Sequence, residues 1–368
     1  MPVKTRKCLD EINLYITAKS IESVKREYGL ETIIKLGGNE NTMGFSPKVK
    51  EAVDEQFQTL SYYPDMNVTS LREALSSFHG VKEEELVFGN GSFELISILA
   101  QTFLEAGEES IIIEPSFGWY KSVTLQMGGK IVSIPLEDFN TNLDTVKEKI
   151  TEKTRIIWLC NPNNPVGSII KAGELYSFLK EIKDDVIVVL DEAYVDFVEE
   201  EDFPDTVSWI NEFQNIIILR TFSKAYGLAS FRIGYGIADE RLIHLLQKVR
   251  LPINTNATAQ IAALAALKDQ DYKNYIVKEI EKGRNLYYQK LKEMGLQYVI
   301  SNGNFILFDT TIDSEWVVNE FLKRGIIIRA GLEFGLPTWV RISIGSQAEN
   351  ETALSLLKEV LQQTLVLK

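Results

Sequence analysis

The chain has 368 residues, 45% of them hydrophobic and 25% charged, which is the composition of an ordinary globular protein of roughly two domains. Its formal net charge of −13 excludes functions that need a basic face, so nucleic acid and anionic membrane surfaces are discounted as partners. Two distant cysteines, Cys8 and Cys160, and two histidines, His79 and His244, without ligand spacing support neither a disulfide framework nor a metal site, and reduced cytoplasm fits best.

Residues 1–45 read as an arm. It has no apolar signal core, carries Tyr15 and a helical IESVKREYG segment, and runs into GGNENTMGFS. Ser46-Pro47 starts a helix, with serine as N-cap and proline at the first position. The loop SYYPD follows, with Tyr63, and then a second amphipathic helix. LVFGNGSFELISILAQTF predicts a short strand, a turn through Gly91 and a helix opening at Ser92, where free N–H groups and the dipole suit an anion. Ser110 to Glu114 is a buried strand leading to Phe117, where an aromatic at the strand end could lie flat on a ring, and to Trp119 and Tyr120, whose simplest assignment is core packing. Two further strands, Lys130 to Pro135 and Arg155 to Cys160, flank a helix, and the second ends in NPNNPVG with Asn164.

Val186 to Leu190 is fully apolar and ends on Asp191, with Tyr194 three residues on. A carboxylate at a buried strand end is costly without a cationic partner, and a protonated pyridine nitrogen is such a partner. A plain acidic cap is the alternative. Ile216 to Leu219 is the next buried strand, and RTFSKAYGLASFRIGYG follows it, bringing Thr221, Ser223, Lys224 and Arg232 past a strand's carboxyl end, where open α/β sheets carry their chemistry. An amine suited to a Schiff base beside groups suited to a phosphate suggests pyridoxal phosphate. Residues 251–295 read as connecting helices, and 296–368 as a small α/β unit with Arg329 ending the strand IIIR and Arg341 inside the strand WVRISIG. A strand-interior arginine needs an anion, and a structural salt bridge serves as well as a substrate.

The segments GGNENTMGFSPKV, YYPD, GNGS, NPNNPVG, DEAY, RTFSKAYGLASFRIGYGIAD and GIIIRAGLEFGLPTWVRISIG carry a resemblance over almost the whole chain to the histidinol-phosphate aminotransferases, class II enzymes of the fold-type I pyridoxal-phosphate group. The resemblance implies an α/β fold with a large mixed-sheet cofactor domain at 46–250 and a small domain formed by the arm and the C-terminal part. It implies Lys224 as the Schiff-base lysine, Asp191 on the ring nitrogen, and Tyr194 and Asn164 on the ring hydroxyl. Phe117 would lie on the ring, and Gly91, Ser92, Thr221, Ser223 and Arg232 would hold the phosphate. Tyr63 would cross to the other subunit of a homodimer. Tyr15, Asn164, Arg329 and Arg341 would hold the substrates, with histidinol phosphate as donor and 2-oxoglutarate as acceptor. An aromatic amino donor, or a decarboxylase of the threonine-phosphate type, stays open. The chain departs from the family pattern at Thr42, at Phe93 and after Tyr15, where Ile16-Thr17-Ala18 stands.

Overall fold

The computed structural model describes residues 3–12, 14 and 19–366. Twelve strands occur among them: β1 Ile34–Lys35, β2 Leu86–Gly89, β3 Glu109–Glu114, β4 Lys130–Pro135, β5 Thr154–Cys160, β6 Ile187–Asp191, β7 Ile216–Thr221, β8 Gly234–Ala238, β9 Phe305–Asp309, β10 Ile326–Ile327, β11 Arg329–Ala330 and β12 Trp339–Ser343. Strands β2 to β8 form one seven-stranded sheet in the order β2-β8-β7-β6-β5-β3-β4. Five neighbouring strands pair in parallel, whereas β8 runs antiparallel to both β7 and β2. The sheet is therefore mixed, as expected.

Alternation along the apolar strands explains why both faces are covered. Ile157, Leu159, Val188, Leu190, Ile216 and Ile218 enter one core, while Ile156, Trp158, Val189, Ile217 and Leu219 enter the opposite one. Helices lie on each side, and their starts follow local rules. The Ser46 hydroxyl accepts Lys48 N–H with Pro47 at the first helical position, Asp239 caps Glu240–Val249, and Asn256 caps Ala257–Leu267.

A second core joins β9, β12, the helices Gln270–Glu293 and Gln347–Val366, and four residues from earlier in the chain, Leu36, Tyr194, Phe197 and Ala225. Here the structure corrects one expectation. The strand IIIR is not continuous: β10 pairs in parallel with β1 of the arm, and β11 turns to pair antiparallel with β12, so Arg329 opens a separate short strand. Different partners on either side of Ile328 divide it. Within residues 251–295, Ala259, Ala262, Ala263 and Ala266 pack into the large-sheet core while Ile276, Ile280, Tyr287 and Leu291 belong to the second.

Candidate active site

The carboxyl ends of β2, β5, β6 and β7 lie at one edge of the sheet, together with the amino end of antiparallel β8. That topology delivers Asp191 and Thr221 from strand ends, Ser92, Asn164, Ser223 and Lys224 from the segments that follow strands, and Arg232 from the loop before one, to a cavity of about 320 Å³ that they all line. A larger cavity of about 840 Å³ adjoins it, sharing Gly38, Phe117, Asn164, Tyr194 and Lys224 and adding Lys35, Lys121, Arg329 and Arg341.

At one end of the smaller cavity several hydrogen-bond donors gather. Arg232 reaches Ala229 O at 2.9 Å and Ser223 Oγ at 3.5 Å, Thr221 donates to Ser223 at 2.9 Å, and the helix Ser92–Phe103 begins beside them. Gly91 adopts φ 78°, and a Cβ there would stand 2.4 Å from Arg232 Nη2, so only glycine lets the turn close on the guanidinium. The arrangement is built for an anion.

Asp191 lies in the same cavity, 4% exposed. Its Oδ2 accepts the Tyr120 hydroxyl at 2.7 Å and its Oδ1 accepts Ala193 N–H at 3.2 Å. Burial pushes its pKa up to about 6, against the opposing pull of those donors. Lys224 Nζ donates to the carbonyls of Asn39 at 3.1 Å and Gly38 at 3.3 Å and sits 5.5 Å from the centre of the Tyr194 ring. Burial, then the Arg341 and Arg232 charges, lower it to about 8, with Glu40 and Asp191 pulling the other way. Asn39 Nδ2 donates to Tyr194 Oη at 3.0 Å.

Arg341 is buried in β12 and donates to Asn164 Oδ1 and, at 2.8 Å, to Gly37 O. Arg329, its register partner across β11, pairs with Glu333. The two like charges on adjacent strands are thus each given an acceptor. Tyr63 is 88% exposed and lines a different groove with Tyr62 and Pro64, so within one chain it does not reach the small cavity. Tyr15 lies outside the described residues. No group of three or more metal-ligating side chains occurs among the described residues, and no helix there is long and apolar enough to cross a membrane.

Three residues of this site escape sequence reasoning. Asn39, buried at φ 53°, and Glu40, on the wall of the small cavity, come from the arm; Gly-Gly-Asn was the available signal, since such a triplet marks a chain forced into close approach. Tyr120 is packed as expected, and its hydroxyl also reaches Asp191.

Residues 31–357 match the family model described as aminotransferase class I and II. This chain belongs to that family. It is 44% identical to the histidinol-phosphate aminotransferase of Caldicellulosiruptor saccharolyticus over 97% of this chain and 99% of that one, and 43% identical to that of Anoxybacillus flavithermus over 98% and 97%. Among solved structures it resembles the histidinol-phosphate aminotransferase of Sinorhizobium meliloti in complex with pyridoxal-5'-phosphate, with a TM-score of 0.91, 26% identity and 99% of each chain covered. The fold of this family member is accordingly that of the fold-type I transferases.

Proposed function

We propose that this chain is a pyridoxal-phosphate-dependent aminotransferase whose amino donor is histidinol phosphate and whose acceptor is 2-oxoglutarate. The observation that carries the reading is Lys224, whose side chain lines both cavities at once, with the anion cradle and Asp191 in one and Arg341 in the other. The residues present fit the cofactor: donors at one end for a phosphate, a buried carboxylate for a ring nitrogen, Phe117 beside the space between, and Tyr194 with Asn164 for a phenolic oxygen. When bound, pyridoxal phosphate supplies an electron sink that labilises the bonds of the substrate's α-carbon.

The protein's own groups do the rest. Lys224 Nζ, lowered to about 8, carries a proton to and from the reacting centre. Asp191 holds a charge that keeps the ring nitrogen protonated, and Arg341 binds a carboxylate or phosphate with its planar fork. Tyr15 and Arg329 would complete the phosphate site, and the surplus of cations around the larger cavity suits a dianionic donor. The division into an arm at 1–45, a cofactor domain at 46–250, connecting helices at 251–295 and a small domain at 296–368 is part of this reading, as are a cytoplasmic location and a homodimer in which Tyr63 reaches the neighbour's cofactor phosphate.

An aromatic donor draws less support, because Phe93 does not line the larger cavity: its ring stacks on Trp119 at 4.5 Å and meets Phe117 edge-on at 5.6 Å. The test is glutamate formation from 2-oxoglutarate with histidinol phosphate, phenylalanine and O-phosphothreonine as donors. Histidinol phosphate is expected to give the highest kcat/KM, by at least about tenfold, corresponding to roughly 1.4 kcal/mol of transition-state binding. Arg341→Ala should erase that preference. A faster reaction with phenylalanine, or carbon dioxide released from O-phosphothreonine without glutamate, refutes the assignment.

A further inference from the structure

Sequence pattern assigns Tyr120 to the core, and its ring is indeed packed, stacked on Trp158 at 5.0 Å with planes at 12° and edge-on to Phe117 at 5.6 Å. The hydroxyl, however, is aimed. It lies 2.7 Å from Asp191 Oδ2, with both side chains buried, so the bond is charge-assisted and shielded from water. Burial holds the phenol well above its ordinary range, which leaves it a permanent donor at any working pH.

We propose that Tyr120 is a positioning residue for Asp191: its hydroxyl keeps the carboxylate ionised and oriented toward the cofactor cavity, and so sets the acid limit of cofactor binding. The inference rests on the pyridoxal-phosphate reading above. The other groups facing Asp191 do not substitute for it. Ala193 N–H engages the other oxygen, Lys224 favours the anion from across the cavity, Glu192 opposes it, and Cys160 and Tyr194 are kept neutral by burial. With the phenol donor removed, burial prevails further, and Asp191 takes up its proton at a higher pH.

The test is a titration of the cofactor-free chain with pyridoxal phosphate from about pH 5 to about pH 9, following the quenching of tryptophan fluorescence. Tyr120→Phe removes one oxygen and keeps the ring. Its affinity at about pH 7 should fall about tenfold, the scale of one charge-assisted hydrogen bond, and the acid midpoint of binding should rise by about one pH unit. In an Asp191→Asn background the same change should alter affinity less than about twofold. If the variant does not fold, 3-fluorotyrosine placed at position 120, a stronger donor of the same shape, should move the midpoint down. An unmoved midpoint in either protein, or an equal loss in both backgrounds, overturns the proposal and leaves Tyr120 a packing residue. A parent chain that binds no pyridoxal phosphate refutes the function proposed above instead.

Discussion

Lys224 and Asp191 are drawn toward each other's titration range because each is buried at a strand end with a partial set of partners. In the proposed reaction the lysine sheds its proton to act as a base and the carboxylate carries a charge to hold a cation. Since burial lowers the first to about 8 and raises the second to about 6, the activity should climb as pH rises through about 8 and collapse as pH falls through about 6. A pH profile of kcat/KM checks this, and a profile flat between those values would contradict it. Asp191 was legible in the sequence because a charge that ends an apolar run is conspicuous, and Lys224 because it stands just past such a run beside Ser223 and Arg232. Asn39 was not, because its importance lies in reaching Tyr194 Oη and accepting nothing from its neighbours in sequence, a relation that only tertiary contact creates. Arg341 was legible as a buried cation in a strand, whereas the acceptors it uses, Asn164 and the Gly37 carbonyl, come from two other parts of the chain.

At the scale of elements, the helices and the sheet strands follow from caps and alternation, and most of them lie where the pattern puts them. The helix that opens at Ser46 has a further duty, since the same hydroxyl also donates to Asp269, which Lys48 Nζ approaches at 2.9 Å, and so joins the helix Pro47–Glu55 to the start of the long helix Gln270–Glu293. Ser46→Ala should lower the unfolding free energy by about 1 kcal/mol for the lost cap, with a somewhat larger loss if Asp269 is left unsatisfied, as measured by urea denaturation. No change would show that the cap is redundant. The division of IIIR into β10 and β11 was hidden for a physical reason. A uniform apolar run says that a strand is buried but not which neighbour it pairs with, and here the neighbours are separated by hundreds of residues: Ile34 on one side and Arg341 on the other. Likewise the alanine-rich helix carries no amphipathic stripe to declare which core it serves.

At the scale of the whole molecule, the proposed homodimer answers a question that one chain leaves open. Phe57, Tyr62, Tyr63, Met66 and Leu251 are large and exposed, and Tyr63 stands away from the small cavity of its own chain. Sedimentation at micromolar concentration should give twice the chain mass, and Tyr63→Phe should weaken cofactor affinity severalfold while leaving the assembly intact. A fully active monomer would remove the case for Tyr63. The proposed chemistry depends on one amine among three lysines around the larger cavity, Lys35, Lys121 and Lys224, of which Lys35 and Lys121 are already paired with Glu40 and Glu114. Borohydride reduction of the cofactor-loaded chain followed by peptide mapping distinguishes them directly. The pyridoxyl group should be fixed to Lys224 in near-stoichiometric yield and be absent from Lys224→Ala, whereas a label on Lys35 or Lys121, or none at all, would contradict the account.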